Sequence, residues 1–292
     1  MKKYIKYILT IIFTICGTMM NCIAQEGFEA THRFSYPGQL SKDTTWNYWQ
    51  KIGTIHMEGP MNEADIRFLL QWTTKAKLRV IDMKKVRGFK ELKKGLFSQI
   101  RNIGENDSLK LRELILPDET TIIGDSTFYG LKSLKSIKFG EKTVSIGINA
   151  FENCTGLDFY MDFPKSVKKI GKGAFKGCTK LEGFIFPPEI TRIEEEVCYN
   201  CSNLHHVGLD EKVDTIALEA FYFCPLFKVE CRAVKPPHSV SHSFAWAMNG
   251  LTVIVPDKSV DAYDKAKWWM YHHIVGHDDY YSDFLRKNKG GQ

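Results

Sequence analysis

Cysteine, histidine and lysine are the residues of this 292-residue chain whose spacing could carry chemistry. Cys154, Cys178, Cys201 and Cys224 recur at near-constant intervals, and Cys198-Tyr-Asn-Cys201 has the form of a redox or zinc CxxC pair. A repeat set out below accounts for both members of that pair as packing positions. The recurring thiols therefore read as small, buried, free side chains, inert toward exchange. A disulfide framework is the alternative that an oxidising compartment would permit, but side chains in parallel register rarely meet at bonding geometry. His272, His273 and His277 invite a metal reading, yet Gly276 interrupts the run and no acid or cysteine cluster stands nearby. His205 and His206 are strand neighbours that face opposite ways. No nucleophile motif, phosphate loop, dinucleotide fingerprint or paired-carboxylate spacing occurs. The expectation is no catalytic residue, no metal and no cofactor; catalysis would need groups converging from distant parts of the chain.

Positive charge concentrates between residues 75 and 94. Nine cations (Lys75, Lys77, Arg79, Lys84, Lys85, Arg87, Lys90, Lys93 and Lys94) face only Asp82 and Glu91, a local excess of seven. A solvated surface is the plain reading and an anionic glycan or lipid head group the functional one.

The N-terminus sets the compartment. Basic Met1-Lys2-Lys3-Tyr4-Ile5-Lys6, an apolar run through Met20, and Asn21-Cys22-Ile23-Ala24-Gln25 have the layout of a secretory signal peptide cut after Ala24. The alternative is a lipoprotein acylated on Cys22, for which Met19-Met20-Asn21 is a poor lead-in. The apolar run is short for a membrane anchor, and no second one follows, so no transmembrane segment is expected in the mature chain. Loss of residues 1–24 removes three lysines and no acid, taking the net charge from +6 to +3. So mild a charge argues against a nucleic-acid partner.

The elements that must position these residues come from an internal repeat. Five consecutive segments follow Leu-x-x-Ile-x-Ile-Pro, then Val-x-x-Ile-Gly-x-x-Ala-Phe-x-x-Cys-x-x-Leu. Phe128, Phe151, Phe175, Cys198, Phe221 and Phe244 fill the aromatic slot at spacings of 23, 24, 23, 23 and 23. Ile123, Ile146, Ile170, Ile193 and Ile216 keep step five residues earlier. Alternation such as Leu114 and Leu116 in, Glu113 and Ile115 out, predicts short strands. One unit cannot bury its own apolar face, so the units must stack. The glycines after the isoleucine slot (Gly124, Gly147, Gly171) suit a turn where a side chain would crowd the next coil. The extra residue in the segment from Leu157 predicts a bulge, with Met161 and Phe163 inside and Tyr160 and Asp162 outside.

Before the array, Ile52-x-x-Ile55-x-Met57 and Leu78-x-x-Ile81-x-Met83 keep the strand half of the pattern. Between them a helix is expected, with Asn62 as N-cap, Asp65 at the third helical position, and Ile66, Leu69, Leu70 and Thr73 inward. After it, a closing helix from Ser259 would pack Val260, Tyr263 and one of Trp268 and Trp269 on the last coil. The expected divisions are 1–24 signal peptide, 25–50 extension without a period, 51–110 cap and irregular first repeat, 111–250 repeats, 251–276 C-terminal cap and 277–292 tail.

Segments such as SIGINAFENC, KIGKGAFKGC and LEAFYFC, with AVKPP and VPDKSVDAYDKAKWW behind them, resemble the BspA-type leucine-rich repeat family of bacterial secreted and surface proteins. The likeness runs over residues 52–275. It departs at Cys198 in the aromatic slot and at Leu131 and Ala247 in the cysteine slot. The resemblance implies an α/β repeat fold: a right-handed leucine-rich-repeat solenoid of short stacked strands, with a helical N-terminal entry and a C-terminal helical cap. It also implies extracellular binding. A solenoid presents its outward strand residues as one surface. Here that surface is Glu113, Ile115, Ser136, Lys138, Tyr160, Asp162, Ile185 and His206 among others, mixed in character and suited to an extracellular or cell-surface protein. An anionic glycan on the basic segment, or a scaffold role without a ligand, are the alternatives.

Overall fold

The computed structural model describes residues 9–15, 18–24, 29–42, 52–75, 78–98, 111–240, 242–244, 250–267, 269 and 272–281. Lys77, Ala247 and Trp268 of the sequence reading lie outside them.

The chain is a parallel-strand solenoid. Along one side run a five-stranded sheet (Glu29–Arg33, Thr54–Pro60, Val80–Arg87, Glu113–Ile115, Ser136–Lys138) and a six-stranded one (Phe159–Tyr160, Leu181–Ile185, His206–Leu209, Lys228–Cys231, Thr252–Val255, His273–Gly276). Two-residue strands such as Ile122–Ile123 and Ser145–Ile146 line another side. The alternation expected at Leu111-x-x-Leu114-x-Leu116 holds: all three leucines are buried, while Glu113 and Ile115 lie outward at intermediate exposure. Each such burial contributes about 1.5–3 kcal/mol, and the periodic slots feed one continuous core from Phe34 to Trp269.

Inside, the aromatic slot is a stack. Phe128, Phe151 and Phe175 lie 4.8 and 5.0 Å apart in nearly parallel planes, and Phe97 extends the column upstream at 4.9 Å. Phe221, Phe244 and Trp269 continue it at spacings of 5.4 Å. The gap at Cys198 is filled from the same turn: Phe184 packs edge-on to Phe175 at 5.0 Å and Phe186 edge-on to Phe221 at 6.1 Å.

The cysteine slot does more than fill space. Cys154, Cys178, Cys201 and Cys224 each donate the thiol proton to the carbonyl of the aromatic-slot residue one turn back, at 3.0, 3.2, 3.2 and 2.9 Å. All six cysteines in the described region that follows residue 150 are free and buried. Burial holds their thiols protonated, Cys154 up to about 12.

The turn between the two sides bonds forward. Ser126, Phe128 and Gly130 donate backbone N–H to the carbonyls of Ile148, Ala150 and Glu152 in the next turn, and later turns repeat the pattern. Aiming alternate N–H groups one way requires a left-handed residue either side of the aromatic slot: Ser126 and Gly130, Asn149 and Asn153, Gly173 and Gly177, Glu196 and Asn200, Glu219 and Phe223. The glycine after the isoleucine slot meets the crowding expected, since a Cβ on Gly171 would lie 2.8 Å from the Gly147 backbone.

The extra residue acts where the spacing placed it. Register shifts between Phe159 and Tyr160, and the long-strand sheet divides here, with no ladder joining Ser136–Lys138 to Phe159–Tyr160. Met161 is buried and Tyr160 and Asp162 are exposed as expected, but Phe163 is only half-buried.

The ends differ from expectation. The sheet begins before the helix, because Glu29–Arg33, inside the segment that shows no period, pairs in parallel with Thr54–Pro60. The helix Glu63–Lys75 therefore joins two strands of the sheet. Its cap is as read: Asn62 Oδ1 accepts from the N–H groups of Ala64 and Asp65. Buried Asp65 also accepts from Gly38 and Leu40, tying that loop to the helix. At the other end the helix Val260–Asp264 has five residues, and the strand His273–Gly276 follows it onto the sheet. Tyr263 and Trp269 are buried there, bonding to the carbonyls of Ala233 and Pro237. Near the N-terminus the apolar stretches Leu9–Ile15 and Thr18–Ala24 pair antiparallel. No helix among the described residues is long and apolar enough to cross a membrane.

Two outcomes follow. Cys198→Phe, although it restores the repeat's preferred residue, should overpack against Phe184 and Phe186 and lower stability by about 1–3 kcal/mol in denaturant unfolding. The thiols should resist an aromatic disulfide reagent until the chain unfolds. Because folding raises these thiol pKa values, their contribution is complete below the ordinary thiol value near 9 and fades as pH climbs toward about 12. A melt series across that range should show stability falling.

Candidate functional site

The outward strand residues form two registered rows. In the five-stranded sheet, Thr54, Val80, Glu113 and Ser136 stand side by side, and His56, Asp82, Ile115 and Lys138 beside them. In the six-stranded sheet Tyr160, Gly183, His206 and Lys228 make one row, and Ile185, Gly208, Glu230 and Ile254 the other. All eight residues read from the sequence as a binding surface lie on this face, but the divided sheet separates Glu113, Ile115, Ser136 and Lys138 from Tyr160, Asp162, Ile185 and His206.

The two halves differ in chemistry. The first is a lattice of cross-strand pairs: Arg33 and Lys85 on Glu58, His56 on Asp82, and Lys138 on Glu113, all at 2.8–3.0 Å. Such exposed pairs contribute about 0–1 kcal/mol each and satisfy their own charge. The second half is aromatic and aliphatic. Tyr160 is 51% exposed and Ile185 52% exposed. The Tyr160 ring lies across the middle strand, and its hydroxyl meets His206 Nδ1 at 3.3 Å, bringing together residues 46 apart in sequence. Gly183 makes this possible: a Cβ there would stand 2.0 Å from Tyr160 Cε1. Ile185 leans over Gly208 in the same way, with 3.3 Å to a built Cβ.

His206 is half-buried, and desolvation first, then the nearby Lys228, hold its pKa below the ordinary imidazole range. The ring is neutral at pH 7 and presents an amphipathic edge rather than a charge. Beyond it the face closes: outward Ile254 is buried, and Tyr281 reaches back to Glu230 at 3.2 Å. The open part of the second half is thus Tyr160, Ile185 and His206.

The part of Gly183 and Gly208 in making room for Tyr160 and Ile185 is not read from the sequence. Their signal is a glycine in an outward strand slot, where propensity disfavours it. The excess of positive charge in residues 75–94 is also smaller in space than in sequence, because Lys85 pairs with Glu58 and Lys93 with Glu63 at 2.6 Å. His273 lies on a strand and His277 opens the helical segment 277–281 that follows it, where it neighbours Asp278. No group of three His, Cys, Asp or Glu poised for a metal occurs among the described residues.

A leucine rich cell surface protein of Faecalibacterium prausnitzii has a similar solved structure, with 19% identity and a TM-score of 0.39 over 64% of this chain and 60% of that one. This chain thus spans about 60% of that protein's length. The leucine rich repeat protein of T. pallidum gives 18% and 0.36 over 65% and 72%. The pneumococcal vaccine antigen PcpA gives 12% and 0.36 over 93% and 100%. No curated protein matches the chain. Residues 98–228 match the model described as the BspA type leucine rich repeat region, in six copies, and this repeat array belongs to that family.

Proposed function

We propose that the protein is exported through its N-terminal leader and binds an extracellular or cell-surface protein through the open half of its strand face. One observation carries the reading: Tyr160, Ile185 and His206 form a partly exposed amphipathic patch set up by Gly183, between a first half whose charges are largely paired and a far end that is covered. Tyrosine and aliphatic anchors of this kind dominate protein interfaces, since they desolvate readily and keep a polar edge for hydrogen bonding. The neutral state of His206 and the pairing of the first half leave the patch without net charge, which disfavours a polyanion. In this reading the chain contributes binding without a catalytic step.

The test is capture by the mature chain, residues 25–292, from arrays of host extracellular-matrix proteins and anionic glycans. A saturable, salt-tolerant complex is expected. Replacing Tyr160 with Ser and Ile185 with Glu should abolish it, with a thermal melt nearly unchanged because both side chains are about half exposed. Glycan capture that vanishes as salt rises would instead place the site on Lys84, Lys90 and Lys94. No capture would leave a scaffold role. Gly183→Ala is the sharper probe: it must displace the Tyr160 ring and should weaken the complex about tenfold, the scale of one lost contact.

A further inference from the structure

The divided sheet opens the core at one place. The residue before each Pro or Gly that ends a long strand is buried in most turns, as Leu116, Phe186 and Val255 show. Phe139 and Phe163, on either side of the division, are instead partly exposed, and they stack on each other at 5.3 Å. Ile137 and Met161 beside them are 6% and 7% exposed where Leu114 and Phe184 are sealed. A cleft of about 630 Å³ lies over these rings and crosses four turns, from Lys84 to Ser166.

Its rim decides what it can hold. Lys138 is neutralised by Glu113. Lys84 and Lys165 on one hand, and Asp118, Glu141 and Asp162 on the other, have no ion pair among the described residues. Two free cations against three free acids leave one negative charge in excess over an aromatic floor. A polyanionic glycan or nucleic acid would be repelled by the acids. Four turns at a strand spacing of about 4.8 Å span about 14 Å, the length of about four residues of extended peptide.

We infer that this cleft is a peptide-docking site for an extended segment carrying one bulky apolar residue beside a basic one. The apolar side chain covers Phe139 and Phe163, and the basic one meets Asp162 or Glu141. The inference rests on the reading that this face binds protein, and it assigns the part of the partner that lies beyond the Tyr160 patch.

The test needs no identified partner. Acetyl-Phe-Lys-amide is titrated into the mature chain labelled at isoleucine methyls, with acetyl-Phe-Glu-amide and acetyl-Gly-Lys-amide as controls. Saturable shifts at Ile115 and Ile137, which line the cleft, are expected for Phe-Lys, several-fold weaker for Phe-Glu and absent for Gly-Lys. Phe163→Ala should remove the response, and an unmoved Ile185 resonance reports that the variant is folded. Asp162→Asn, at an exposed position, should selectively weaken Phe-Lys. No saturable shift at Ile115 and Ile137, or equal response to Phe-Glu, overturns the inference. Capture that survives in the Tyr160 variant while Phe-Lys still binds would sink the patch reading alone; capture lost in that variant with no Phe-Lys response would sink the cleft alone.

Discussion

The structure depends on one constraint: no single turn can cover its own apolar face or satisfy its own backbone. Ser126, Phe128 and Gly130 spend their N–H groups on the following turn, and the thiol of Cys154 returns a proton to the carbonyl of Phe128. Each turn is therefore bonded both ways through positions fixed to within one residue. The period of about 23 residues follows from this, because a change in length would carry side chains off the aromatic stack and amides off their carbonyls together. The cysteine slot belongs to the same requirement. A thiol is small enough for the interior and still donates, so it gives carbonyls such as that of Phe128 a second partner beside a backbone N–H.

Against so strict a period, the irregular turns are where the surface acquires character. The extra residue in the segment from Leu157 breaks the ladder, exposes Phe139 and Phe163, and frees Tyr160 to lie over the next strand. Glycines at 183 and 208 then provide the space that Tyr160 and Ile185 occupy. Cys198 is irregular in the opposite sense. It sits in the sealed interior, and the neighbouring Phe184 and Phe186 restore the missing volume. A departure from the repeat on the inside is thus compensated by packing, whereas a departure at the strand face produces exposed, ligand-ready chemistry.

The residues that suggested chemistry in isolation are mostly absorbed by this architecture. Cys198 and Cys201 resemble a redox pair in one dimension, but both are buried and held protonated by desolvation. The cations of residues 75–94 draw on acids outside that window, Glu58 and Glu63, that strand and helix packing bring alongside. His206 gains its place at the surface from Tyr160, 46 residues away.

Much was legible from the sequence, because a repeat writes its tertiary contacts as a period. Stacking partners sit one period apart, so the aromatic and cysteine columns, the inward and outward residues of each strand, and the location of the bulge could all be read by counting. The cap of Asn62 and Asp65 was legible for a local reason, since its bonds span three residues. What counting could not supply were contacts without a period. The strand Glu29–Arg33 has no repeat signature and is fixed only by pairing with Thr54–Pro60. The strand His273–Gly276 after the short closing helix is fixed the same way by Thr252–Val255. The tilt of Tyr160 over Gly183, the pairing of Lys93 with Glu63 and the opening of the core at Phe139 and Phe163 depend on side-chain size and distance across turns. Those are settled only when the coils are packed.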